Sequence, residues 1–300
     1  MVSWVAAVLV FSAAVVSAYP ANDPVIGKWS EGLRYDYLED DAGKVHLVDN
    51  WMKVSDFDRL ARYNPDASNR YHLFTRANPS ISQPIVLNNA ATVHNSNFNA
   101  RRRTIVMMHG FAGSITSGFN TVLLPGQAAG RFINWLNSIT GATANNYHVI
   151  GYSVGGHGAG IIARTINGNV GYVTGLDPAD RWDTAWLFRP NDGLYTEVMH
   201  TNGGDSGWLN PLAQVDFYPN GGRQMPGCMT SLCHHYRSYY YMAESLRTGG
   251  FTGRRCDNLN AALVGNCSGS TLRMGGIRPK NGNTGIYHLT TNALHPYSRG

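Results

Sequence analysis

Residues 149–157 read VIGYSVGGH, and they restrict the possible fold more than any other stretch of the chain. Val149 and Ile150 end an apolar run that reads as a buried strand, and small residues continue as a helix after Ser153. Gly151 and Gly155 flank the serine in a Gly-x-Ser-x-Gly pattern. Between a strand and a helix this pattern makes a sharp turn that lifts a hydroxyl clear of the backbone. The glycines are needed because a Cβ would clash where strand and helix approach. A serine hydroxyl is a poor nucleophile until a neighbouring base takes its proton. The turn therefore predicts partners elsewhere. The bland alternative, a glycine-rich turn with an incidental serine, would need no such context.

The surrounding chain predicts an α/β fold. Thr104-Ile105-Val106-Met107-Met108 is a continuous apolar run, as expected of a strand covered on both faces. Ala129, Phe132, Ile133 and Leu136 recur at helical spacing within 126–139. A strand over 147–152, a helix over 154–166 and a strand over 170–176 follow, and such alternation builds a mostly parallel sheet. Shorter strands are expected at 71–75 and 84–87. There is no internal repeat.

With 43% hydrophobic residues, 300 residues can bury a full core, and the net charge of +5 is spread out. Arg101, Arg102 and Arg103 form the basic cluster and read as a solvated loop, so no nucleic-acid surface is expected. Residues 1–18 read as a secretory signal peptide: the apolar run is short and Val16-Ser17-Ala18 offers a cleavage site. The expected location is therefore extracellular. Residues 19–65, which include Glu39-Asp40-Asp41, read as a propeptide or N-terminal arm, leaving 66–300 as the main domain. Four cysteines fit the same compartment. Sequential bridges, Cys228–Cys233 and Cys256–Cys267, are one of three connectivities. Zinc is the rival reading, although neither pair has CxxC spacing. Asn266-Cys267-Ser268 is formally a glycosylation sequon.

An elbow serine needs an acid and a histidine after it in the chain. Asp177, in Gly-Leu-Asp-Pro-Ala, stands at the end of the next strand, where sites on open parallel sheets form. Asp183, Asp192 and Asp205 are later candidates without a buried strand before them. His200, His234 and His235 all remain open as the base. Upstream, His109-Gly110 ends a strand, and the amides of Phe111 and Val154 are placed to hold an oxyanion.

Together the stretches VMMHGF, VIGYSVGGHGAG, GLDPAD, EVMHTNGG, VDFYPNGG, MPGC and CHHYRSYYYMAES resemble the animal pancreatic-lipase family, in particular its secreted insect lipase and phospholipase A1-like branch. The resemblance runs over residues 70–300. It implies an α/β-hydrolase fold with Ser153 as nucleophile, Asp177 as acid and His235 as base, since the family histidine lies two residues after a cysteine and two before an arginine. It implies no cofactor. The family's calcium site is mostly missing, with Asp192 the single counterpart, so no metal is expected. The implied partners are a phospholipid, galactolipid or acylglycerol ester and, transiently, a lipid surface. Oligomeric state is left open. Because the family also resembles fly yolk proteins, a weak or inactive lipid-binding or storage protein is the alternative, though those proteins lack the serine. A structural module would need no elbow.

One departure stands out. Members of the family carry a further strand between the His-Gly turn and the elbow strand, where this chain shows one helix and no strand. In the family's strand order that strand lies beside the His-Gly strand, next to the two N-terminal strands. Those two strands are expected to lose the edge they pair with.

Overall fold

In this computed structural model the described residues are 7–13, 35–39, 45–49, 66, 69–110, 123–180, 186–248 and 251–300. The strand–helix alternation builds the centre of the molecule. Strands β6 (Thr104–Met108), β7 (Tyr147–Tyr152), β8 (Tyr172–Leu176), β9 (Thr196–Met199) and β10 (Val215–Pro219) lie side by side and parallel. On one flank β13 (Gly285–Leu289) continues the parallel run, and β11 (Phe251–Cys256) and β12 (Thr271–Met274) add antiparallel edges. The described sheet has eleven strands.

Alternate side chains of the parallel strands go to opposite faces, as the pleat requires. Val106, Val149, Val173 and Val198 pack with Phe132, Ile133 and Ile162 on one face. These partners come from α2 (Leu123–Thr140) and α3 (Val154–Thr165), which follow the short helix α1 (Ala90–His94). Ile105, Ile150, Met199 and Phe217 pack on the other face with Tyr241 and Met242 of α4 (Ser231–Thr248). A last short helix, α5 (Leu259–Val264), covers β13 through Ala262.

The other flank departs from the expectation of a lost edge. Strands β4 (Asn69–Thr75) and β5 (Asn78–Ile85) do not end the sheet beside a gap. Ala7–Ala13, the apolar run of the expected signal peptide, enters the sheet as β1. It lies parallel to β6, with Val8 opposite Ile105 and Val10 opposite Met107. It lies antiparallel to β4, with Leu9 opposite Leu73. A short run rich in Val, Leu and Phe has the composition of a strand, and a slot between two unsaturated edges supplies backbone partners on both sides. No strand lies between β6 and β7 among the described residues. Within the expected N-terminal arm, β2 (Tyr35–Glu39) and β3 (Val45–Asp49) form a separate two-stranded antiparallel sheet.

Both sequential disulfides are formed, Cys228–Cys233 and Cys256–Cys267, which removes the zinc reading of those cysteines.

Candidate active site

The ends of β7 and β8 set the site. Tyr152 pairs with Leu176 across these strands. The next residues, Ser153 and Asp177, therefore emerge side by side from adjacent strand ends. Both adopt positive φ, 56° at Ser153 and 42° at Asp177. Backbone strain of this kind costs about 1–3 kcal/mol and persists where the surroundings enforce it. Here they do. Ser153 N–H donates to Leu176 O at 2.9 Å, Asp177 N–H to Met199 O at 2.8 Å, and Ser153 O accepts from Gly156 and Ala179. The elbow glycines are sterically required. A Cβ on Gly151 would run into Gly155 O, and one on Gly155 would strike the backbone oxygens of His109 and Met108. A Cβ on Gly110 would stand 2.7 Å from Ser153 Cβ, so the His-Gly turn abuts the serine.

The structure sorts the candidate histidines. His235 Nδ1 meets Asp177 Oδ2 at 2.6 Å, both residues being buried. Its ring lies 4.8 Å from that of Tyr152, the residue before the elbow serine. His234 faces elsewhere, its Nδ1 accepting from Met225 N–H at 2.8 Å. Desolvation, with help from the Arg237 charge, lowers its pKa. His200 pairs with Asp216. The other oxygen of Asp177 accepts from the amides of Thr201 at 2.7 Å and Asn202 at 3.0 Å. Sequence reading missed these two donors, because backbone amides leave no mark in composition.

Val154 is the first residue of α3, where helix amides lack an intrahelical acceptor. Phe111 lies outside the described residues, as does Asp183. Asp205 sits in an exposed position. Asp192 is engaged by Arg164 at 2.6 Å and by the Arg189 amide at 2.8 Å, in a pocket against Gly160. Among the described residues no cluster of His, Cys, Asp and Glu is arranged to hold a metal ion.

His157 braces the loop after Asp177. Phe188 N–H donates to its Nδ1 at 3.1 Å, so Nε2 carries the proton and donates to Ala179 O at 2.9 Å. Burial pushes its pKa down to about 4. The ring is thus kept neutral in the fold while the unfolded chain takes up a proton near pH 6.5. The stability this contributes is complete above pH 6.5 and is lost as pH falls towards 4. The linked change is about 3 kcal/mol. Chemical denaturation at pH 7 and pH 4 should show a smaller loss in His157→Gln than in the wild-type protein. Equal losses would refute the assignment of this acid sensitivity to His157.

A family model, Lipase, matches residues 113–297, more than half of the 300-residue chain. The chain belongs to the lipase family. Its curated relatives include the pancreatic triacylglycerol lipase of Sus scrofa, 28% identical over 87% of this chain and 73% of the relative. That of Myocastor coypus is 30% identical over 80% of this chain and 67% of its own length. That of Homo sapiens is 28% identical over 70% of this chain and 59% of its own length. The lipase-family chain thus spans well short of the full length of these enzymes. The matched segment contains the elbow, Asp177, His235 and both disulfides.

Proposed function

We propose that this protein hydrolyses acyl esters of lipids, with Ser153 as nucleophile, His235 as base and then acid, and Asp177 as the group that holds the imidazolium. The observation carrying this reading is the buried His235–Asp177 bond of 2.6 Å beside an elbow serine at φ 56°. The relatives' names, triacylglycerol lipases, support a lipid ester as the substrate class.

In the first step Ser153 Oγ attacks the ester carbonyl and its proton passes to the imidazole of His235. Negative charge on the tetrahedral oxygen is met by the amide of Val154, at the start of α3. The C–O bond to the alcohol then breaks, and His235 returns the proton to the leaving oxygen. Water, activated by the same imidazole, releases the fatty acid. Asp177, fixed by two amides, keeps His235 in the tautomer that presents Nε2. A secreted protein is supported by the apolar start of the chain and by the two disulfides. Cleavage after Ala18 would carry β1 away.

The loop between the bridged Cys228 and Cys233 is short, 229–232, with Met229 97% exposed. Four residues are too few to fold over a pocket as a lid, and an uncovered site gains nothing from opening at an oil surface. It also admits a polar head group, which favours a phospholipase A1-type specificity. Purified protein should release the sn-1 fatty acid from phosphatidylcholine. Its rate on a partly soluble ester should show no jump at the solubility limit. A sharp jump, with triglyceride strongly preferred, would overturn the specificity. Lipid binding without any Ser153-dependent turnover would overturn the hydrolase reading itself and favour a lipid carrier.

A further inference from the structure

Behind Asp177 lies a second histidine–aspartate pair to which the hydrolytic reading gives no role. His200 follows β9 directly and is fully buried, its ring stacked on Tyr218 at 4.3 Å. Its Nε2 lies 2.8 Å from Asp216 Oδ1, and its Nδ1 lies 2.7 Å from Trp208 O. Asp216 already accepts the amides of Leu212 at 2.9 Å and Ala213 at 3.0 Å. Both ring nitrogens of His200 therefore face acceptors. A ring that donates from both satisfies them.

What the ring holds is the loop 200–208. The Nδ1 contact with Trp208 O ties its two ends together. Inside it, Thr201 and Asn202 donate to Asp177 Oδ1. Gly207 is pressed so closely on the same carboxylate that a Cβ there would overlap both oxygens. Trp208 N–H reaches Pro178 O at 2.6 Å, so the loop also grips the residue after Asp177. Ser231 Oγ, at the start of α4, donates to Asn202 Oδ1 at 2.8 Å, and Thr201 Oγ1 to His235 O at 3.4 Å. The loop thus touches both members of the acid–histidine pair.

We propose that His200, donating from both ring nitrogens to Trp208 O and Asp216, is a positioning residue that fixes Asp177, and through it His235, by closing the loop 200–208. The proposal rests on the hydrolytic reading above. It goes beyond that reading by assigning the His200–Asp216 pair a role in activity rather than in folding alone. A group that sets geometry for another should act on kcat and leave KM for a small soluble ester little changed. Misplacement by about 1 Å costs roughly a hundredfold.

Steady-state turnover of a soluble short-chain ester would be measured for the wild-type protein and for His200→Ala, His200→Gln and Asp216→Asn, with a thermal melt of each. The proton NMR signal of the His235–Asp177 bond and the side-chain nitrogen signals of His200 would be read in parallel. We expect kcat to fall by up to roughly a hundredfold in His200→Ala, with KM unchanged and the His235–Asp177 signal displaced. His200→Gln, which keeps one donor, should recover part of the loss. The wild-type nitrogen signals should show both ring nitrogens protonated. If His200→Ala does not fold, a folded Asp216→Asn with lowered kcat and unchanged KM supports the proposal. Unchanged kcat in any folded His200→Ala or Asp216→Asn overturns it, as does an undisplaced His235–Asp177 signal or a His200 ring protonated on one nitrogen. If the wild-type protein shows no Ser153-dependent turnover, the hydrolytic reading fails separately, and the NMR signals alone decide the positioning role.

Discussion

Replacing Ser153 or His235 with alanine should lower turnover of a soluble ester by roughly 10⁴- to 10⁶-fold, and the double variant should be little worse than either single one. The reason is mechanistic coupling. In the proposed mechanism the Ser153 proton has no acceptor without the imidazole, and the imidazole has nothing to activate without the hydroxyl. What survives comes from substrate binding and oxyanion donors, which neither substitution touches. His234→Ala makes the informative contrast. His234 is the neighbour in sequence, yet its Nδ1 is taken by the Met225 amide, while it is His235 that bonds Asp177. That variant should keep most of its turnover. Steady-state kinetics on the three variants, each checked by a thermal melt, would decide. Loss in His234→Ala with retention in His235→Ala would reverse the assignment, and additive single losses would argue against a coupled unit.

Removing residues 1–18 should have the next largest effect, on stability rather than chemistry. Ala7–Ala13 pairs on both sides, with Thr104–Met108 and with Asn69–Thr75. Its loss leaves two strand edges with exposed backbone donors and acceptors in the flank of the sheet. Net ladder bonds contribute roughly 0.5–1.5 kcal/mol each, so a strand of this length is worth several kcal/mol. In a chain of this size that corresponds to a fall in melting temperature of about 10 °C. Open edges should also raise aggregation. A β-strand segment inserted ahead of Leu123 should refill the slot and restore both melting temperature and activity. Differential scanning calorimetry of the full chain, the shortened chain and the insertion variant would test this. Equal melting temperatures in all three would show that the flank closes without a strand in that position. The mass of the protein recovered from expressing cells and from their medium would show whether cleavage after Ala18 takes place at all.

Much of this was legible in the sequence because it is local. The VIGYSVGGH stretch encodes strand, turn and helix within a few residues, and the steric need for Gly151 and Gly155 follows from that geometry wherever it folds. The apolar runs at Thr104–Met108 and Tyr147–Tyr152 and the helical spacing after Gly126 fixed the class of the fold for the same reason. The paired cysteines were close enough in sequence for their bridges to be anticipated. The tertiary structure decided what depends on contacts distant along the chain. It brought His235 rather than His200 or His234 to Asp177, across 58 positions. It aimed the amides of Thr201 and Asn202 at the same carboxylate, gave Asp192 to Arg164, and put the apolar start of the chain into the slot beside β6. Hydrophobic periodicity carries no information about such meetings, and for His235 it was the family resemblance of the Cys233–Arg237 stretch that pointed to the pairing in advance. They follow from the sheet register and from the requirement that each buried charge and backbone group find a partner.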